Sequence, residues 1–145
     1  MVRLLLARSD VNPDHPDYRG ETPLWQASGR GCERVMKLLL ARRKVNPNKA
    51  DKDGVTPLSK ASLWGHEVAV RLLLARAEIN PDKPDNCGRT PLALAASRGY
   101  GGVVKILLAR ADVNPSRPDN QGQTPLQLAS MNGHKKIVAL FKARI

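Results

Sequence analysis

A chain of 145 residues, 41% of them hydrophobic, is long enough to fold around a core as one domain, and no apolar run approaches the roughly 18 residues that span a bilayer. Its two cysteines, Cys32 and Cys87, are too few for a disulfide framework, and the leucines near the start are too few for a signal peptide, so a cytoplasmic or otherwise intracellular location is expected. The formal net charge of +11, from 24 Lys and Arg against 13 Asp and Glu, admits an acidic partner, protein or nucleic acid, without choosing between them.

The organisation is one unit repeated. Thr-Pro-Leu begins at residues 22, 56, 90 and 124, a constant step of 34. The same register carries the columns Asp17, Asp51, Asp85, Asp119 and Gly20, Gly54, Gly88, Gly122. A second glycine column follows at Gly31, Gly65, Gly99 and Gly133. The chain therefore divides into a partial repeat over 1–16, full repeats over 17–50, 51–84 and 85–118, and a C-terminal repeat over 119–145.

Met1–Arg8 aligns with the later second helices and has no first helix before it, so it reads as part of a longer array. Val2, Leu4, Leu5 and Leu6 then lack partners, an opening for self-association in a chain otherwise expected to be a monomer. In each full repeat Asp-x-x-Gly predicts a tight turn, with Gly supplying positive φ and Asp bonding its own downstream backbone. Thr-Pro then starts a short helix, the hydroxyl as N-cap and Pro at the first helical position, where its missing N–H removes no bond. In the second copy this helix is expected over Pro57–Trp64, with Gly65 ending it in the left-handed region. A second helix is expected over Glu67–Arg76, burying Val70, Leu73 and Leu74. The pair is too short to be stable without neighbours. In the last copy Lys135, Lys136 and Lys142 charge the second helix while Ile137, Val138 and Phe141 keep one side apolar.

This unit, D-x-x-G-x-T-P-L-x-x-A followed by G-x-x-x-V-x-x-L-L, resembles the ankyrin repeat, and the resemblance covers nearly the whole chain. It implies an all-α ankyrin-repeat solenoid of stacked helix-turn-helix units with projecting turn tips. It also implies a non-enzymatic protein-interaction module. Three departures stand out. The histidine usual after Thr-Pro-Leu is replaced by Trp25, Ser59, Ala93 and Gln127; an Arg column at 8, 42, 76, 110 and 144 stands where a glycine is usual; and Asn-Pro-x-x-Pro lengthens the linker to give 34 residues. Proline should make these linkers stiff and poor in sheet. The near-identical copies are similar to arrays in fungal NLR-like receptors, where such repeats form a sensing region beside a nucleotide-binding domain.

Positions where the copies disagree are those the scaffold does not dictate. At the turn tips they are Tyr18, Arg19 and Glu21; Lys52, Asp53 and Val55; Asn86, Cys87 and Arg89; and Gln121 and Gln123. At the first helices they are Trp25, Arg30, Leu63, Trp64, Arg98 and Met131. In proteins similar to this one such columns line a concave groove and bind other proteins. Tyr18, Trp25 and Trp64 are the aromatic candidates for anchors, with Trp25 also able to fill the absent histidine's space.

Other chemistry finds little support. Cys87 has Arg89 nearby but no histidine in its column, and an arginine does not act as a base. Cys32, His66 and His134 lie on successive layers, about 8 to 10 Å apart, whereas zinc holds its ligands at about 2.0 to 2.3 Å, so no metal and no cofactor is expected. The alternative to protein binding is a basic scaffold, its Arg column and Lys37, Arg71 and Lys105 following the phosphates of a nucleic acid, or a structural spacer.

Overall fold

The computed structural model describes residues 12–144, and the helix expected over Met1–Arg8 lies outside them. Eight helices occur in the described part: α1 Pro23–Arg30, α2 Glu33–Leu40, α3 Pro57–Leu63, α4 Glu67–Leu74, α5 Pro91–Arg98, α6 Gly101–Leu108, α7 Pro125–Met131 and α8 Lys135–Arg144. No strand appears among these residues. Odd-numbered helices pack on one another down one layer and even-numbered helices down a second, and each odd helix packs on the even helix that follows it. The result is a two-layer, all-α stack.

Each first helix begins as the sequence predicts. The hydroxyls of Thr22, Thr56, Thr90 and Thr124 accept the backbone N–H three residues on, and Pro occupies the first turn. Below each helix start the turn closes on its Asp: the carboxylate of Asp51 accepts the N–H groups of Asp53 and Val55, both at 2.9 Å, and Asp17, Asp85 and Asp119 do the same. The second helices stop at Leu40, Leu74 and Leu108, two residues short of the arginine column.

Gly65 shows why its column admits nothing else. Its φ is +73°, and a Cβ there would lie 2.6 Å from the ring of Tyr100 in the next repeat. Gly31 and Gly99 meet His66 and His134 in the same manner. The two imidazoles also donate from Nε2 to the carbonyls of Gly29 (3.1 Å) and Ser97 (3.0 Å), joining one repeat to the one before.

The core lies between the layers. Leu24, Leu58 and Leu92 from the first helices are fully buried, together with Met36, Val70 and Val104 from the second helices. The last copy is looser: Leu126 and Val138, which occupy the columns of Leu92 and Val104, are only partly buried.

The linkers carry a second ladder. Asn12, Asn46, Asn80 and Asn114 each accept, through Oδ1, the N–H two residues on. The side chains of Asp14, Asn48 and Asp82 then accept the backbone N–H of Asn46, Asn80 and Asn114 in the following repeat, each at 2.7 Å. The Asn-Pro-x-x-Pro insert thus replaces sheet pairing with side-chain bonds from repeat to repeat.

Candidate functional site

The turn tips and the first helices flank a groove. Its tips are tied together by one backbone bond per interface, from Lys52 to the carbonyl of Arg19, Asn86 to that of Asp53, and Asn120 to that of Cys87. The amides of Asn86 and Asn120 add a second bond, to the carbonyls of Lys52 and Asn86. Their side chains belong partly to the scaffold, which qualifies Asn86 as a contact residue. The tips are held rigidly enough to present their other side chains without much ordering on binding.

In the first two full repeats these elements bound an open hollow of about 520 Å³. Tyr18, Arg19, Glu21 and Trp25 line it from one repeat, and Lys52, Asp53, Val55 and Leu63 from the next. A second hollow gathers Asn86, Cys87 and Arg89 with Gln121 and Gln123. Arg30, Trp64, Arg98 and Met131 line neither hollow, although all four are exposed at the ends of their helices.

The aromatic residues behave differently from one another. Tyr18 is 76% exposed and Trp64 48%. Trp25 is buried, and its indole N–H donates to the carbonyl of Val55 in the next repeat at 3.0 Å. It therefore does the inter-repeat work left open by the missing histidine while one ring face still borders the hollow. The other three copies solve that slot separately. The hydroxyls of Thr56 and Ser59 bond to each other at 3.1 Å, Ala93 is simply buried, and Gln127 forms a capping box with Thr124.

Sequence reasoning missed Lys60. Its stem crosses Gly29, where a Cβ would come within 2.9 Å of Cγ. Its ammonium lies 4.5 Å from the centre of the Trp25 ring system and 5.7 Å from that of Trp64. On Trp64 it is joined by the guanidinium of Arg98 at 5.9 Å, and Arg19 lies 5.4 Å from the Tyr18 ring. The signal was available, since the column Gln26, Lys60, Leu94, Leu128 also differs between copies.

The exposed thiol of Cys87 has no imidazole beside it, because His66 and His134 bond to Gly29 and Ser97. Arg89 pairs with Asp85 at 2.9 Å. Two members of the arginine column are likewise engaged: Arg76 donates to the carbonyl of Leu40 and Arg110 to that of Leu74. Each reaches the open C-terminal end of a helix in the preceding repeat, so its charge answers that neighbour's dipole and not its own helix.

A family model of ankyrin repeats (3 copies) matches residues 1–85 and, again, residues 76–144. The chain belongs to the ankyrin-repeat family. Ankyrin repeats are in general protein-interaction modules and typically have no enzymatic activity. No curated protein matches the chain. Among the described residues no helix of this ankyrin stack is long and apolar enough to cross a membrane.

Proposed function

We propose that this ankyrin domain binds another protein along the groove between its turn tips and first helices, as a non-enzymatic recognition module. The observation that supports this reading is the meeting of variable columns from adjacent repeats around one open hollow, with Tyr18 exposed in its lining and Trp64 exposed next to Lys60 of that lining. Large aromatic side chains with few rotors are favoured as interface anchors, and nothing in the packing of the stack requires either ring to be exposed. Nucleic-acid binding by the arginine column is disfavoured, because Arg76 and Arg110 already hold backbone carbonyls and carboxylates.

A randomised peptide library displayed on phage and panned on the protein tests the reading. Recovered clones should lose at least fivefold in affinity for a Tyr18→Ala, Trp64→Ala double variant, about 1 kcal/mol or more. They should keep their affinity for Lys105→Ala, on the second-helix layer. Clones indifferent to the double variant, with its fold intact by circular dichroism, would place binding elsewhere or leave the stack a spacer.

A further inference from the structure

The engaged cations among the described residues differ in what holds them. Lys37, Arg76, Arg89 and Arg110 are paired with Glu33, Glu78, Asp85 and Asp112. Lys49, Lys83 and Arg117 donate to the linker carbonyls of the preceding repeat. Lys60 and Arg98 are held instead by indole faces, and among the described residues no carboxylate lies within ion-pair distance of either.

That difference has a chemical consequence. A carboxylate partner fixes a cation and cancels its charge, whereas an aromatic face fixes it through the ring quadrupole and leaves the full charge in place. Lys60 has its stem laid over Gly29 and its ammonium near two indoles, so the rotamer entropy of a long side chain is already lost. A group arriving in the groove meets oriented cations as well as exposed ring surface. The lining of the first hollow also carries Glu21, Asp51 and Asp53 against Arg19, Lys52 and Lys60, but none of these carboxylates is within ion-pair distance of Lys60, and Arg98 lies outside that lining.

We propose that the groove selects an acidic peptide segment, with carboxylates seated at Lys60 and Arg98. This rests on the groove being the binding face. Lys60 and Arg98 belong to successive repeats, and their charged groups lie 5.7 and 5.9 Å from the centre of the same Trp64 ring, so they are within roughly 12 Å of each other. A polyproline II segment advances about 3.1 Å per residue with three residues per turn, so acids at every third position share one face at about 9 Å, within that reach. The fitting partner is an extended, proline-containing strand of the form acid-x-x-acid.

Fluorescence anisotropy with three labelled peptides, (Glu-Ala-Pro)4, (Gln-Ala-Pro)4 and (Lys-Ala-Pro)4, and with oligouridylate of twelve nucleotides tests this. The glutamate peptide should bind at least tenfold more tightly than the glutamine peptide, with affinity falling as salt rises. Lys60→Met should weaken it at least fivefold, and Arg98→Gln, on an exposed side chain, should do so without any change in melting temperature. Lys37→Met, on the opposite layer, should leave it unchanged. Equal binding of the glutamine peptide, equal loss in Lys37→Met, no binding of the glutamate peptide, or tighter Lys60-dependent binding of oligouridylate each overturns the proposal. Groove-dependent clones from the library that lack acidic residues overturn it too, and leave groove binding standing.

Discussion

At the scale of single residues, the linker column Asp14, Asn48, Asp82 contains its own experiment. Asn48 uses both ends of its amide, accepting from the N–H of Asn80 and donating to the carbonyl of Glu78, each at 2.7 Å. Asp82 accepts from Asn114 N–H, but its other oxygen is buried with no partner. Desolvation, with the nearby Asp112 adding to it, raises the Asp82 carboxyl above its ordinary value, against the pull of the Asn114 N–H and Arg117. Because the folded value is raised, the stabilising contribution of this group is complete below the ordinary carboxylate range and is lost as pH rises through the folded value. Asp82→Asn would keep the acceptor and add a donor where Asn48 already has one. We expect a gain of about 0.5–1.5 kcal/mol at pH 7, mostly from the new hydrogen bond, since solvent screens a partly exposed charge. The advantage should shrink as pH falls through the carboxylate range. Urea melts at pH 7 and pH 4 check this, and equal or lower stability of the variant at pH 7 counts against the assignment.

At the scale of elements, the end of α2 and the linker after it depend on one side chain from the next repeat. Arg76 donates to the carbonyls of Leu40 at 2.9 Å and Val45 at 3.0 Å, and pairs with Glu78. The fork of a guanidinium reaches these acceptors together, which an ammonium does not do. Arg76→Lys should therefore lower stability by about 1–2 kcal/mol in urea unfolding. Glu78→Gln, which removes only the exposed pair, should change it by less than about 0.5 kcal/mol. Equal effects would mean that the ion pair, and not the carbonyl bonds, holds the linker. These elements also show what the sequence made legible. Thr-Pro, the left-handed turn at Gly65 and the Asp turns act through neighbours within a few residues, so those roles can be read from local spacing. Arg76, Trp25 and Lys60 act across about one full repeat, on Leu40, Val55 and Trp25, and identity alone does not show which way such a side chain reaches. Much of the hollow's lining was visible as variable columns, but Lys60, the invariant Asp51 and the partition of Asn86 and Trp25 between scaffold and surface required the third dimension.

At the scale of the whole molecule, each described repeat packs on its immediate neighbours through the same pairs of layers, so stability is close to a sum of repeat terms and nearest-neighbour terms. A buried leucine in the middle serves two interfaces, and the same column at the last copy serves one. Leu92 is fully buried, while Leu126 in the same column is only partly so. Leu92→Ala should destabilise by about 2–5 kcal/mol, the range for a leucine truncated in a closed core. Leu126→Ala should cost about half as much or less, because the site is open and leaves little cavity. Hydrogen exchange separates the consequences. Truncating Leu126 should speed exchange in α7 and α8 alone, and truncating Leu92 should speed it in α3 through α8, since neighbours on both sides lose their contact. If Leu126→Ala instead loosened the stack uniformly, coupling between repeats would be global, and the groove would close or open as one unit when its last repeat is disturbed.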